Sequence, residues 1–381
     1  MLKKILSLTL VIMLTAVSLP TAAAQAREYP ELQLDCRAAL LMEFESGEIL
    51  YASNEHEQMP MASVTKIMSI LLTVEAIESG ELSLDETVTA SANAASMGGS
   101  QIYLKENEAM PLREMLKSVI VASANDACVA LSEHIAGSES EFVARMNRRA
   151  AELGMQDTNF VNCTGLDTEG HHSTAYDIAL MSRELLSHEM IFEFTQIWTD
   201  SIRGGEFGLT NTNKLIRFYQ GANGLKTGST DDAKYCVSAA AKRDGMQLIA
   251  VVLGSSTGTA RFETAKAMLN YGFANFRLMS LEKPELPCVA VKGGTEEQLA
   301  CDILIPDNLL VEKSFSAKPE CVVELPETLD APVEAGDIIG KLSWKAGDET
   351  VCTADIFAAQ TVPARSYGFC LLMLIKRFLM I

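Results

Sequence analysis

The stretch Ser63-Val64-Thr65-Lys66 stands where the sequence changes from strand-like runs to a helical pattern. Apolar side chains then recur at spacings of three and four as far as Ile77, which predicts a helix that begins at Ser63. A spacing of three places the Ser63 hydroxyl and the Lys66 amine on one face of that helix, one turn apart. Because a buried lysine with a lowered pKa can take the proton of a serine, the pair predicts a nucleophile and its base. The same pattern also describes a helix-capping serine followed by a solvated lysine.

Two further motifs carry groups that acyl transfer needs. Ser123-Ala124-Asn125 precedes a second predicted helix, where a hydroxyl can pass a proton to a leaving amine and an amide can hold a peptide carbonyl. Lys226-Thr227-Gly228 lies directly before two predicted strands. A glycine there lets a ligand approach the backbone, and the lysine and threonine can bind a carboxylate. A helix cap and a polar edge strand are the plain structural explanations of these two motifs.

The pattern around the motifs predicts an α+β domain over residues 34–277. Residues 38–44 and 49–51 are apolar runs separated by a polar turn, which predicts a β-hairpin. Two late strands follow at residues 236–241 and 248–253, so the predicted sheet joins both ends of the segment. Helices are predicted between and after these strands, at residues 112–120, 125–135, 139–153 and 261–276.

The remainder of the chain predicts a small all-β domain and a tail. Short runs of Val, Ile and Leu separated by turn residues indicate a β-rich domain over residues 284–362. This segment contains no catalytic constellation, so we expect it to be a spacer or scaffold. Residues 366–381 are almost wholly apolar except Lys376 and Arg377. A helix of residues 367–381 is about 23 Å long, short of the roughly 30 Å bilayer core, which favours an interfacial anchor over a crossing. The alternative is a helix docked on the β-rich domain.

The amino terminus and the composition bound the class of protein. Residues 1–26 contain two lysines, an apolar run and a small-residue end, the order of a secretory signal peptide, so we expect an exported protein. The formal net charge of −19 argues against nucleic acid as a partner. The nine cysteines show no short spacing to one another or to histidine, so we expect no metal site and no cofactor.

The three motifs occur in order within one predicted domain, which is the signature set of serine penicillin-recognising enzymes. The sequence resembles the low-molecular-mass penicillin-binding proteins with D-alanyl-D-alanine carboxypeptidase activity, the S11 serine peptidases. The segments 61–68, 164–167, 171–177 and 211–215 also resemble that family. The resemblance implies a penicillin-binding-protein and β-lactamase-like transpeptidase domain, then a small all-β domain and a C-terminal amphipathic helix.

The resemblance also implies the activity and the site residues. Ser63 would attack the peptide bond between the last two D-alanines of a peptidoglycan stem peptide, and water would then hydrolyse the acyl-enzyme. Lys66 would deprotonate Ser63, and Ser123 would help proton transfer. The implied substrate-binding residues are Asn125, Lys226, Thr227, Gly228, Ser229 and Arg261, with the backbone N–H groups of Ser63 and Ser229 holding the oxyanion. β-Lactam antibiotics would be acylating inhibitors, and the tail would contact the outer face of the cytoplasmic membrane.

Two alternatives have their own sequence requirements. A class A β-lactamase needs a carboxylate base in an E-x-x-L-N segment, and the sequence has no such segment before Lys226. A non-catalytic penicillin-binding or peptidoglycan-binding regulator would be expected to have lost a catalytic side chain, and none is missing. The chain departs from the family pattern at Lys234, where glycine is common, and at Cys163-Thr164 before Gly165.

Overall fold

A computed structural model describes residues 32–347 and 349–379, so the predicted signal segment 1–26 lies outside the described residues. The chain up to residue 280 alternates strands and helices around one large sheet. Its strands are β1 (Ala38–Glu43), β2 (Ile49–Ser53), β3 (Thr87–Thr89), β4 (Ala109–Pro111), β5 (Thr199–Ile202), β6 (Phe207–Thr210), β7 (Ala222–Thr230), β8 (Lys234–Arg243), β9 (Met246–Ser255) and β10 (Phe276–Ser280). Its helices are α1 (Lys66–Glu78), α2 (Ala92–Ala95), α3 (Leu112–Val121), α4 (Asn125–Ala136), α5 (Glu139–Glu152), α6 (Ala175–Ser187), α7 (Phe192–Thr195), α8 (Leu215–Phe218) and α9 (Ala260–Asn275).

The main sheet has the strand order β2-β1-β9-β8-β7, and its neighbouring strands are antiparallel. The strands come from both ends of the segment and the helices from its middle, which confirms the predicted α+β fold. β7 lies at one edge of the sheet, so one side of its backbone is free to face a ligand.

Both faces of the sheet are covered, because side chains alternate along its strands. Leu40 on β1 joins the core under the helices that follow the first strands, where Ile67 and Leu71 of α1 are fully buried. Leu41 points to the opposite face and packs with Leu269 of α9. Fully burying one such side chain stabilises the fold by about 1.5–3 kcal/mol. The two apolar layers therefore fix β7 and α1 relative to each other.

The chain around Ser63 differs from its prediction. Residues Ala62–Thr65 form a 3-10 turn, and the α-helix begins only at Lys66. Val64 N donates to Met61 O, the three-residue spacing of a tight turn. The turn is confined on two sides, because a side-chain carbon on Gly165 would lie 1.9 Å from Ala62 O and one on Gly228 would lie 2.8 Å from Ser63 N.

The Lys226-Thr227-Gly228 motif lies in a strand, β7, directly before β8 and β9, as the sequence predicts, and Lys226 is opposite Ser238 in register. β7 is an edge strand of the main sheet. Because Gly, Lys and Thr in mixed order give no apolar alternation, periodicity does not predict the limits of this strand.

The rest of the described chain is all-β up to a final helix, as predicted. Its core contains Leu342, Trp344, Ile356 and Val362. Its elements are β11 (Val289–Lys292), β12 (Gln298–Leu299), β13 (Cys301–Ile303), β14 (Asn308–Glu312), β15 (Glu320–Glu324), β16 (Thr328–Asp330), β17 (Ile338–Ala346), β18 (Glu349–Ala358) and α10 (Tyr367–Leu379).

These strands form two small sheets and one connection to the first part of the chain. The sheet orders are β13-β18-β17-β15 and β12-β11-β16. β14 pairs antiparallel with β10, from Phe276 opposite Glu312 to Ser280 opposite Asn308. The β-rich region is therefore attached by a two-stranded ladder as well as by the peptide chain.

The final helix, α10, lies on the outside of the protein. None of its described residues is buried, and Phe378 is 89% exposed. Within residues 32–347 and 349–379, no helix is both long enough and apolar enough to cross a membrane.

Candidate active site

Lys66 is a fully buried cation at the first position of α1. Its Nζ atom donates to Ser63 Oγ at 2.9 Å, to Asn125 Oδ1 at 2.6 Å and to Thr164 O at 2.8 Å. Burial lowers the pKa of Lys66 to about 8, because desolvation penalises the charged amine. The structure therefore brings together a serine hydroxyl and an amine that is partly neutral near physiological pH.

The loop that follows α5 holds one of these contacts. Gly165 has a φ of +86°, a conformation that glycine adopts without strain, and this turn directs Thr164 O at the amine. Asn162 Oδ1 accepts from Gly165 N at 2.6 Å and fixes the turn. Cys163-Thr164, where the chain departs from the family pattern, is compatible with this contact, because the acceptor is the main-chain carbonyl of Thr164.

His171 supports the turn that contains Ser63. Its Nδ1 accepts from Val161 N at 3.0 Å, so in the neutral ring Nε2 carries the proton and donates to Thr65 Oγ1 at 2.8 Å. Burial lowers the pKa of His171 to about 4, which keeps the ring neutral. His171 thus has a structural contact to the turn that contains Ser63.

The Ser123-Ala124-Asn125 motif forms a second wall of the site. Ser123 has a φ of +63° in the short connection between α3 and α4, and it is 4% exposed. Asn125 donates from Nδ2 to Gly98 O at 2.7 Å while its Oδ1 receives the Lys66 amine. Among the described residues, the Ser123 hydroxyl makes no hydrogen bond to Ser63 or Lys66. The structure therefore links Asn125 directly to the amine, while Ser123 lies two residues before Asn125 in the chain.

The edge strand β7 forms the opposite wall. Lys226 is 1% exposed and its Nζ donates to Thr227 O at 2.9 Å. Burial first, and then the charges of Lys66 and Arg261, hold the pKa of Lys226 well below its usual value. Gly228 lets the strand pass close to Ser63 N, and Ser229 follows it as an exposed residue of the same strand.

Arg261 reaches β7 from α9. Its Nη1 donates to Gly228 O at 2.9 Å and to Cys236 O at 3.3 Å. Arg261 therefore contacts the strand that carries the Lys226-Thr227-Gly228 motif. Three basic side chains, Lys66, Lys226 and Arg261, lie around this cleft in a chain whose formal net charge is −19, so the site is suited to a carboxylate.

Sequence reasoning did not assign His171 or Asp126 to the site. Asp126 is fully buried and accepts from Ile102 N and Leu104 N at 3.1 Å and 3.0 Å, which holds the loop that faces Asn125. The available signal was the position of Asp126 directly after Asn125. Lys234, noted as a departure, has a φ of +56°, which explains why a glycine suits that position.

Comparisons with known protein families agree with this architecture. The profile of the Peptidase_S11 family, described as D-alanyl-D-alanine carboxypeptidase, matches residues 22–257. The profile of the penicillin-binding protein 5 C-terminal domain matches residues 289–364.

Individual relatives extend the match over nearly the whole chain. The D-alanyl-D-alanine carboxypeptidase DacF of Bacillus subtilis is 39% identical over 368 residues, covering 94% of this chain and 94% of the relative. Penicillin-binding protein 5 of Haemophilus influenzae superposes with a TM-score of 0.80 at 28% identity, over 88% of this chain and 100% of that chain. Penicillin-binding protein D2 of Listeria monocytogenes in its ampicillin-bound form gives a TM-score of 0.59 at 35% identity, over 64% of this chain and 100% of that chain. The chain therefore belongs to the S11 family of serine-type D-alanyl-D-alanine carboxypeptidases, penicillin-binding proteins of peptidoglycan metabolism, and carries the C-terminal domain of penicillin-binding protein 5.

Proposed function

We propose that Ser63 is the acylated nucleophile with which this carboxypeptidase removes the terminal D-alanine from peptidoglycan stem pentapeptides. The observation that carries the proposal is the 2.9 Å hydrogen bond between Lys66 Nζ and Ser63 Oγ, made by an amine whose pKa burial lowers to about 8. A neutral amine at that distance can accept the hydroxyl proton directly. No other serine in the described chain shares a hydrogen bond with a fully buried lysine.

The reaction then runs in two steps, acylation of Ser63 and hydrolysis of the ester. Ser63 Oγ bonds to the carbonyl carbon of the penultimate D-alanine while its proton passes to Lys66. The backbone N–H groups of Ser63 and Ser229 stabilise the oxyanion, and the C–N bond then breaks as the leaving amine takes a proton from Lys66 with the help of Ser123. D-Alanine departs. Water then attacks the ester carbonyl and gives a proton to Lys66, the acyl C–Oγ bond breaks, Ser63 Oγ takes the proton back, and the shortened peptide leaves with a new carboxyl group.

Substrate contacts follow from the walls of the cleft. Asn125 donates the second N–H of its Nδ2 to the peptide backbone, because Gly98 O takes one of the two protons and Lys66 occupies Oδ1. Lys226 and Thr227 bind the terminal carboxylate, and Arg261 contributes through its contact with Gly228 O. A peptide that lies along the edge strand β7 satisfies the free backbone groups of that strand at the same time.

The same serine opens β-lactam rings. The ampicillin-bound form of the Listeria protein supports this assignment at 35% identity. Since no E-x-x-L-N carboxylate base is present, Lys66 has to serve in both acylation and deacylation, and we expect the penicilloyl ester to be released slowly. The protein is then a target of penicillin, not a β-lactamase.

The domain limits and the location are part of the proposal. The functional units are a signal peptide at residues 1–26, the peptidase domain at 34–277, the β-rich domain at 284–362 and a membrane-associating tail at 366–381. The mature protein is exported and attached peripherally to the outer face of the cytoplasmic membrane. The exposure of the apolar side chains of α10 supports the attachment.

Two assays test the chemistry. Wild-type protein is incubated with diacetyl-L-Lys-D-Ala-D-Ala and the released D-alanine is measured, with Ser63→Ala as the inactive control. A fluorescent penicillin is then used to label both proteins. We expect D-alanine and a stable label from the wild type and neither from Ser63→Ala. Label on Ser63→Ala would show that another residue is the nucleophile. Label on the wild type without release of D-alanine would indicate a non-catalytic penicillin-binding regulator.

A further inference from the structure

The segment Asn211-Thr212-Asn213 connects the two walls of the cleft. Thr212 N donates to Val121 O at 3.0 Å, and Val121 is the last residue of α3, on the wall that carries Ser123. On the other wall, Thr227 Oγ1 donates to Thr212 Oγ1 at 2.8 Å. Thr212 therefore bridges the main chain beside Ser123 and the hydroxyl of the Lys226-Thr227-Gly228 motif.

The two asparagines fix the main chain of this segment. Asn211 is 4% exposed, donates from Nδ2 to Ile197 O at 2.8 Å and accepts from Asn213 N at 2.8 Å. Asn213 is 1% exposed and donates from Nδ2 to Gly224 O on β7 at 2.8 Å. Thr212 is thus held between two buried anchors, and its side chain points at Thr227.

We propose that Thr212 is a positioning residue that orients the Thr227 hydroxyl toward the terminal carboxylate of the substrate. The proposal rests on the proposed function of Thr227 as a carboxylate ligand. A hydroxyl has one proton to donate and can accept, and its proton rotates to suit its partners. When a carboxylate occupies the cleft, Thr227 turns its proton to the carboxylate and Thr212 donates its own proton to Thr227 Oγ1.

The chain of two hydroxyls has an energetic consequence. A donor that itself accepts a hydrogen bond is polarised, so its bond to the carboxylate is strengthened. Without the Thr212 hydroxyl, Thr227 Oγ1 loses this partner and its rotor is no longer held in place. Thr212 thereby acts on the recognition of a C-terminal carboxylate and leaves the acylating pair Ser63 and Lys66 untouched.

A comparison of two peptides isolates that effect. The substrates are diacetyl-L-Lys-D-Ala-D-Ala and the same peptide with a C-terminal carboxamide, and kcat/KM is measured for release of D-alanine and of D-alaninamide. We expect Thr212→Val to lower kcat/KM for the carboxylate peptide about tenfold and to leave the carboxamide peptide nearly unchanged, since one hydrogen bond to a charged group is affected. Thr212→Ser retains the hydroxyl and should restore the wild-type preference. The matched control is Thr210→Val, an exposed threonine on β6.

The preference for carboxylate over carboxamide is a ratio within one preparation, so any misfolded fraction cancels. The proposal is overturned if Thr212→Val leaves the ratio of the two kcat/KM values unchanged, whether or not both values fall. Thr227→Val distinguishes the role of Thr212 from the role of Thr227. If Thr227→Val abolishes the preference and Thr212→Val keeps it, only the role of Thr212 is wrong. If Thr227→Val also keeps the preference, the assignment of Thr227 as carboxylate ligand is wrong, and the role of Thr212 falls with it.

Discussion

At the scale of single residues, the pH dependence of the reaction is set by Lys66. Its amine is fully buried and contacts Ser63, Asn125 and the main chain of Thr164. Burial lowers its pKa to about 8, and the neutral form is the one that can take a proton. Raising the pH therefore increases the fraction of active base.

We expect kcat/KM for D-alanine release from diacetyl-L-Lys-D-Ala-D-Ala to rise about tenfold per pH unit below pH 8 and to level off above it. The substrate amines are acetylated, so the profile reports the enzyme. Lys66→Arg should be inactive, because a guanidinium does not lose its proton in this range, whereas exposed Lys214→Arg should keep the wild-type profile. A profile that is flat or falls between pH 6 and pH 8 would exclude Lys66 as the base.

The sequence motifs predict the side chains of the site, but they do not predict the main-chain groups that those side chains contact. Ser63 and Lys66 are three residues apart, so local periodicity is enough to place them together. The carbonyl groups of Gly98 and Thr164 that complete the site leave no mark in the sequence. The pairing of Thr212 with Thr227 depends on the fold of a loop, and spacing alone does not predict it.

At the scale of elements, the tight turn before α1 depends on glycines in other elements. The prediction of an α-helix from Ser63 is wrong by one turn. The apolar periodicity of the helix continues into Ala62–Thr65, but β7 and the Gly165 loop lie so close to those residues that they form a tighter turn. Hydrophobic spacing records which face is buried, and it does not record how closely a neighbouring backbone approaches. The close approach of β7 to Ser63, which requires Gly228, is likewise not recorded in the hydrophobic spacing.

Two glycines of one loop provide a matched pair of substitutions. Gly165 and Gly170 both have positive φ, +86° and +81°, but a side-chain carbon on Gly165 would lie 1.9 Å from Ala62 O, whereas at Gly170 the nearest atom is 3.8 Å away. We expect Gly170→Ala to cost about 1 kcal/mol of unfolding free energy with normal penicillin labelling. Gly165→Ala should also displace the turn that carries Ser63 and slow labelling by about 100-fold. Urea unfolding and the labelling rate measure both effects, and a wild-type labelling rate in Gly165→Ala would show that the turn tolerates movement.

At the scale of the whole molecule, the β-rich region is joined to the peptidase region by paired strands. β10 follows α9 directly and forms a ladder with β14, so the segment between the two predicted domains, residues 278–283, begins inside a strand that pairs with the β-rich region. Asn308 Nδ2 also donates to Glu45 Oε2 at 3.2 Å, a contact between β14 and the β1–β2 turn. These contacts favour a fixed attachment of the β-rich region to the peptidase region over a flexible one.

The tail itself is independent of the catalytic cleft, and its removal tests the location that we propose. α10 has no buried residue, and its apolar side chains are exposed together with Lys376 and Arg377. Protein that lacks residues 366–381 should release D-alanine at the wild-type rate but no longer float with anionic lipid vesicles. The double variant Lys376→Glu, Arg377→Glu should lose binding to anionic vesicles and keep more of it on neutral ones, because each cation near an anionic surface contributes about 1 kcal/mol. Truncated protein that still floats with vesicles would place the membrane contact elsewhere, and a truncation that lowers peptidase activity would show that α10 supports the fold instead.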